Sequence, residues 1–228
     1  MRTLALATSL LVAATLIGEP AADLSEFLKA GCKLVGASED QKLSCAESTS
    51  ALLRSCNSLK SVPAELSPLP HSNTLLLCYF ESAADAVGSD QATKYEGCGL
   101  LQLYSKYIVA TERGFVDVPN AMEFAKVFAP VDSPAKALAF AVGLTRSTAK
   151  YDVTIPQGYV SSVDRFQPTH VIEVQDGYVV NLFGYDCGGC GPHYYYEIEY
   201  FVSRQGYLTE RNRTNLYRNP KEDNMCWD

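Results

Sequence analysis

Apolar residues follow three successive patterns along this chain of 228 residues. A nearly uninterrupted apolar run comes first and covers residues 4–17. From residue 23 to about residue 114, apolar residues recur every three or four positions, which is the period of a helix face. Beyond Tyr151, apolar and polar residues alternate, which is the period of a strand. The sequence therefore divides into three segments, which are 1–22, 23–114 and 115–228.

The first segment has the layout of a secretory signal peptide. A single positive charge, Arg2, precedes the apolar run, and the small residues Ala21 and Ala22 follow it. The run is shorter than the roughly 20 residues that a membrane-spanning helix needs, and no later segment reaches that length without charges. We therefore expect residues 1–22 to be removed on export, and the mature chain to be secreted or periplasmic with no membrane span.

The second segment, 23–114, is predicted to be mainly helical. Asp23 and Glu26 have the spacing of a capping box at a helix start. Residues 45–59 carry an apolar stripe at helical spacing, which predicts a second and longer helix. Residues 75–87 form an apolar run with little polar surface, and we predict a central helix there.

The third segment, 115–228, is predicted to contain two short helices followed by strands. The first helix covers 120–128, and the second begins at Ser133, where Pro134 occupies the first helical position. Two hairpins follow in the sequence pattern. Asp176-Gly177 is a strong hairpin turn signal, and Gln205-Gly206 is a weaker one. Together the segments predict an α+β protein, with a disulfide-crosslinked helical N-terminal region followed by a helix plus a four-stranded antiparallel meander sheet.

Alternation along these strands predicts the two faces of the sheet. The residues expected on the buried face are Ile172, Val174, Val180, Leu182, Ile198 and Val202. The residues expected on the opposite face are Glu173, Asn181, Tyr195, Glu197 and Glu199. Carboxylates beside an aromatic ring can bind a sugar or a cation, or act as an acid and base pair. A solvent-exposed sheet face has the same composition, and this is the interpretation that we favour.

The cysteines all lie after the predicted signal peptide, and in an exported protein they are expected to form disulfides. They are Cys32, Cys45, Cys56, Cys78, Cys98, Cys187, Cys190 and Cys226.

The predicted helix of residues 45–59 limits how these cysteines can pair. Cys45 and Cys56 would lie about 16 Å apart along it, beyond the roughly 7 Å that a disulfide allows between Cα atoms. Folding the first two predicted helices back on each other around residues 36–38 would place Cys32 opposite Cys45, and the same reasoning across the Pro-rich loop 62–70 predicts Cys56–Cys78. Five cysteines precede residue 114 and three follow it, so complete oxidation requires a bond between the two regions, for which we predict Cys98–Cys226. One free thiol in each region is the alternative.

Charge and composition exclude several classes of protein. The net charge is −7, and 47% hydrophobic with 20% charged residues is typical of a folded globular chain. An acidic protein with scattered basic residues lacks the positive surface that nucleic acids require. The sequence contains neither the G-x-S-x-G nor the H-E-x-x-H motif of hydrolases. We predict no cofactor and no nucleic-acid partner.

The segment 186–193 contains the one conspicuous short motif, Cys187-Gly-Gly-Cys190 followed by His193. Such a pair can be a redox dithiol, part of a zinc site, or a structural crosslink. A redox pair needs a lowered thiol pKa, and no helix follows the motif to provide it. Zinc needs a matching second ligand pair, which the sequence lacks. We favour a structural crosslink and predict no metal.

The leading functional hypothesis is a non-enzymatic protein that binds a macromolecule or a cell-envelope component through an aromatic hairpin. Large aromatic side chains dominate the energetics of many interfaces. One alternative is a thiol-disulfide oxidoreductase that uses Cys187 and Cys190, and another is a structural component of the envelope. The predicted binding residues are Tyr185, His193, Tyr194, Tyr195 and Tyr196.

Overall fold

The computed structural model describes residues 22–36, 42–80, 94–96 and 103–227. The predicted signal peptide up to Ala21 and the cysteine at position 98 lie outside these ranges. Within them, no helix combines the length and apolar character needed to cross a bilayer.

The first half of the chain forms an antiparallel sheet instead of a set of helices. Its strands run in the order β1-β2-β3-β4-β6-β5, and β7 also pairs with β6. β5 pairs with the beginning of β6, and β7 pairs with its end. The strands are β1 (Lys33–Val35), β2 (Lys42–Ser44), β3 (Ser58–Ser61), β4 (Leu75–Phe80), β5 (Lys94–Glu96), β6 (Leu103–Thr111) and β7 (Gly114–Val118).

Helices in the first half are short. Helix α1 covers Ser25–Lys29 and α2 covers Ala51–Arg54. The helical prediction for this half is therefore wrong, and the predicted α+β architecture with it. Residues 75–80, predicted as part of a helix, form β4, in which all six side chains are buried. Since β4 is covered on both faces, its sequence is a continuous apolar run without the alternation that marks a half-exposed strand.

The two helices of the second half form where the sequence predicts them. Helix α3 covers Ala121–Phe128, and the side chain of Asn120 accepts a hydrogen bond from the main-chain N–H of Glu123. Helix α4 covers Pro134–Leu144, and Ser133 accepts one from Lys136 in the same way. These side chains satisfy main-chain donors that a helix start would otherwise leave unpaired.

A second antiparallel sheet follows α4, with strand order β8-β13-β12-β10-β9. Both predicted hairpins are present, as β9–β10 and β12–β13. The sheet has a fifth strand, β8, beyond the predicted four-stranded meander. Its strands are β8 (Val160–Ser161), β9 (His170–Val174), β10 (Gly177–Tyr185), β12 (Tyr194–Ser203) and β13 (Leu208–Arg218), and a separate two-stranded pair is formed by β11 (Gly189–Cys190) and β14 (Cys226–Trp227).

The largest apolar core lies among one face of each sheet, α3 and α4. The first sheet contributes Leu77 and Tyr107, the second contributes Leu182 and Ile198, and α4 contributes Phe140. The opposite face of β4 packs into a smaller core that includes two disulfides. The predicted division at residue 114 stays a prediction, and strands β6 and β7 pair directly across it.

Three disulfides lie wholly within the described residues. The predicted bonds Cys32–Cys45 and Cys56–Cys78 are both present. The third is Cys190–Cys226. The predicted bond between positions 98 and 226 is therefore wrong, because Cys226 is bonded to Cys190 in the β11–β14 pair. The disulfides are compatible with a location outside the cytoplasm.

One strand of the second sheet faces the opposite way from the prediction. Val171 packs against the core, whereas Ile172 is 52% exposed. Glu173 lies opposite Tyr178, a core residue, and forms an ion pair with Arg204. The alternating pattern gave the correct faces for β10 and β12 but not for β9. Strand β9 contains apolar residues at the adjacent positions 171 and 172, so its alternation fits either orientation. A shift of one residue exchanges the side chains on the buried face with those on the exposed face.

Candidate functional site

The face of the second sheet that points away from α4 carries most of the polar side chains singled out in the sequence. We call it the outer face and divide it in two. The packed half is covered by the connection 151–168 and contains Tyr159, Phe183, Tyr185, Tyr195 and Tyr217. The open half comprises His170, Ile172, Val179, Asn181, Glu197, Glu199 and Phe201, which the register places side by side.

Tyrosine rings fill the packed half by stacking on one another. The ring centroid of Tyr195 lies 4.5 Å from that of Tyr185 and 4.8 Å from that of Tyr217. Tyr159, from the covering connection, lies 6.0 Å from Tyr195 and 5.9 Å from Tyr217. Burial raises the pKa of the Tyr195 hydroxyl, and Tyr159 adds to the effect. These rings are in contact with each other, so little of their area is left for a partner.

The hydroxyl of Tyr185 is also engaged within the protein. It donates a hydrogen bond of 2.9 Å to the Glu222 carboxylate. Burial raises the pKa of the Tyr185 hydroxyl well above its usual value, and the hydrogen bond to Glu222 adds to this effect. Asn219 donates to the other oxygen of the same carboxylate at 2.6 Å. These contacts attach the C-terminal segment to the packed half.

His193 is buried, with 2% of its surface exposed. Its Nδ1 lies 3.1 Å from the carbonyl oxygen of Asp186, and its Nε2 lies 3.2 Å from that of Met225. The ring thus joins the start of the hairpin tip to the C-terminal segment. This arrangement is that of a structural histidine, because both nitrogens face main-chain acceptors.

The predicted binding residues do not share one surface. Tyr195 lies on the outer face, whereas alternation along β12 places Tyr194 and Tyr196 on the other face. Tyr196 contacts the main core, and the guanidinium of Arg213 lies 4.3 Å from its ring centroid. A Cβ at Gly184, on the neighbouring strand, would overlap this ring, so glycine is required there.

The two cysteines of the Cys-x-x-Cys motif are not bonded to each other. Cys190 is bonded to Cys226, and Cys187 is also disulfide-bonded. Each of the two cysteines is therefore part of a structural disulfide, and neither sulfur is a thiolate available to a metal. Within the described ranges, no three side chains of His, Cys, Asp or Glu are grouped closely enough to hold a metal ion.

Lys150 borders the packed half. Its Nζ lies 5.4 Å from the ring centroid of Tyr195 and 5.9 Å from that of Phe183. Burial lowers the pKa of this amine. The contact with two aromatic rings partly replaces the lost solvation of the ammonium group.

Two acidic side chains lie next to each other in the open half. Glu197 and Glu199 are half-buried and lie two residues apart on β12, on the same face. Burial raises the pKa of Glu197, the negative charge of Glu199 raises it further, and His170 opposes the shift. Neither carboxylate has a hydrogen-bond or ion-pair partner in the part of the chain that the structure describes.

Asn181 adds a third acceptor to this half. It is 3% exposed and lies directly between Glu199 on β12 and His170 on β9. Its Nδ2 donates to the main-chain oxygen of Gln167 at 3.3 Å. Its Oδ1 is buried and has no hydrogen-bond partner. Because the amide nitrogen already has an acceptor, the unpaired atom is the oxygen.

Comparison with protein-family models, with curated proteins and with solved structures finds no match for this chain.

Sequence reasoning placed Asn181, Glu197 and Glu199 on one face but favoured a plain solvent-exposed surface. It missed the unpaired oxygen of Asn181, because that feature depends on the position of Gln167, which no local pattern encodes. It also missed Lys150 and Tyr159. Alternation could have identified neither, since both come from segments outside the predicted strands.

Proposed function

We propose that this is an exported, non-enzymatic binding protein whose open half binds a positively charged polypeptide segment. The observation that carries the proposal is the pair Glu197 and Glu199. Two adjacent, half-buried carboxylates without a partner in the described residues raise each other's energy, and a cation placed between them would relieve this. A ligand that supplies such a cation is complementary to the site.

Three acidic side chains elsewhere in the protein illustrate internal pairing. Asp117 accepts from Lys106 at 3.0 Å, and Glu123 accepts from Lys126 at 2.6 Å. Glu173, on the neighbouring strand β9, is paired with Arg204. The chain thus supplies basic partners for these three acidic residues, whereas Glu197 and Glu199 have none among the described residues.

The side chains around the two carboxylates favour a polypeptide over a free ion. Ile172 is 52% exposed, and Val179 and Phe201 are partly exposed beside it. The guanidinium of Arg211 lies 4.6 Å from the ring centroid of Phe201, so this surface already accepts a basic side chain over an aromatic ring. A segment with both basic and apolar residues could contact the carboxylates and the apolar side chains at the same time.

The oxidoreductase alternative draws no support from the site, because Cys187 and Cys190 belong to different disulfides. The proposal also places recognition away from the hairpin tip, where the tyrosine rings contact one another. The protein would act in the secretory or periplasmic space, as the N-terminal sequence predicts.

Titration calorimetry with a peptide that contains arginine, lysine and leucine would test the proposal. We expect Glu197→Gln/Glu199→Gln to weaken binding by about tenfold or more, and binding to weaken as salt increases. The control is Glu65→Gln/Glu112→Gln, which makes the same change of net charge away from the open half. Equal weakening in both double variants, or no binding by the wild type, would refute the proposal.

A further inference from the structure

We infer that Asn181 makes the open half select arginine over lysine in the bound segment, an inference that rests on the proposed function. The observation behind it is the buried, unpaired Oδ1 of Asn181 beside two unpaired carboxylates. The site therefore has hydrogen-bond acceptors on two neighbouring strands, and a ligand with several hydrogen-bond donors is complementary to it.

The orientation of the Asn181 amide is determined by its own contacts. Gln167, in the connection that covers the packed half, accepts from Nδ2. Turning the amide over would place Oδ1 against the Gln167 oxygen, and two acceptors would then face each other. The oxygen is consequently held as the unpaired, buried atom of the amide. An acceptor that is buried without a partner gains most from a new donor, because it has already lost its contact with water.

The spacing of the acceptors distinguishes the two basic side chains. Asn181 and Glu199 are directly opposite residues of an antiparallel pair, so their Cβ atoms are about 5 Å apart. Glu197 lies two residues away along β12, at a distance of about 7 Å. A guanidinium carries five N–H donors in one rigid plane and can bind a carboxylate with two of them while another reaches the amide oxygen. An ammonium group has three donors on one atom, so it can form single hydrogen bonds to both strands but cannot bind a carboxylate with two parallel hydrogen bonds at the same time.

His170 flanks the same acceptor from β9. It lies opposite Asn181 in the register, and it is partly exposed. Its position limits the approach to the side of Glu199, so the ligand's donor group must enter between the carboxylates of β12 and the amide of β10. A planar group enters such a gap more readily than a hydrated ammonium ion does.

Two peptides that differ only in their basic residues would test the inference. One carries two arginines separated by a leucine, the other carries two lysines in the same places, and both have blocked ends. We expect the wild type to bind the arginine peptide about tenfold more tightly, because one more charge-assisted hydrogen bond is made. Asn181→Leu should bind the two peptides with equal affinity, while Glu65→Gln, outside the open half, should retain the preference.

The outcomes separate this inference from the proposed function. If the wild type binds both peptides equally and loses both in Glu197→Gln/Glu199→Gln, the selectivity of Asn181 is refuted and the proposed function stands. If it binds neither peptide, the proposed function fails as well. Binding of Ca²⁺ in calorimetry that excludes the arginine peptide would refute the guanidinium as the group recognised. Should Asn181→Leu not fold, as judged by its circular dichroism, loss of the preference in Asn181→Ala would carry the same meaning.

Discussion

The packed and open halves of the outer face are built from the same strands but differ in what covers them. Over the packed half, the connection 151–168 brings Tyr159 and Phe166 onto Tyr217 and Tyr195. Over the open half, Asn181, Glu197 and Glu199 keep acceptor atoms without partners in the described residues. Strand alternation thus assigns a residue to one face of the sheet. Whether that residue contributes to stability or to recognition depends on a segment of chain that is distant in sequence.

The largest effect on the free energy of unfolding is expected when a tyrosine of the packed half is replaced. Tyr217 is 4% exposed and stacks on Tyr195, so Tyr217→Ala should lower the free energy of unfolding by about 4 kcal/mol. Phe201→Ala, in the open half, should lower it by about 1 kcal/mol because that ring is only partly buried. Urea unfolding followed by circular dichroism would measure both. Similar losses in the two variants would mean that the halves do not differ in packing.

Replacing a histidine is expected to have an intermediate effect on the free energy of unfolding. His193→Ala would remove the hydrogen bond that the buried ring donates to the carbonyl oxygen of Asp186 or of Met225, and should lower the free energy of unfolding by about 2 kcal/mol. His170→Ala, in the open half, should cost less than about 0.5 kcal/mol, since surface substitutions rarely exceed that. Thermal denaturation of the two variants would compare them. A His193→Ala variant as stable as the wild type would show that the ring does not hold the C-terminal segment.

The smallest expected effect concerns pH. Burial and Glu199 raise the pKa of Glu197 in the folded protein, so the unfolded chain loses this proton at a lower pH. Ionisation of Glu197 therefore opposes folding, and its contribution to stability is present in acid and lost as the pH rises through the raised pKa. Glu197→Gln should be slightly more stable than the wild type at about pH 7, by less than about 0.5 kcal/mol.

That difference between Glu197→Gln and the wild type should disappear below about pH 3, where the carboxyl is protonated in both states. Chemical unfolding at the two pH values would measure it. A wild type that is more stable than the variant near neutral pH would mean that Glu197 has an attractive partner within the protein.

The sequence predicted local features that depend on a few neighbouring residues. Asn120 and Ser133 start helices because their side chains bond to main-chain donors three residues ahead. Asp176-Gly177 lies at the β9–β10 turn for a comparable local reason. The bonds Cys32–Cys45 and Cys56–Cys78 were also predicted, although the long helix used in the argument does not form. Proximity along the chain was enough to favour those pairs.

The first sheet and the open half could not be predicted in the same way. Leu75 and Leu77 of β4 face one core while Leu76 and Cys78 face another. A strand buried on both sides has the composition of a buried helix, and only its partners β3 and β6 identify it. The unpaired oxygen of Asn181 likewise depends on Gln167, which is fourteen residues away along the chain. Both features are set by long-range contacts.

The way α4 is placed has a consequence for how the chain loses its structure. Phe140 and Ala141 share one core with Leu77 of the first sheet and Leu182 of the second. Neither sheet can withdraw from that helix without exposing apolar surface that the other has been covering. The two sheets are thus expected to melt together in one cooperative transition, and a substitution that disrupts either sheet should weaken the whole molecule.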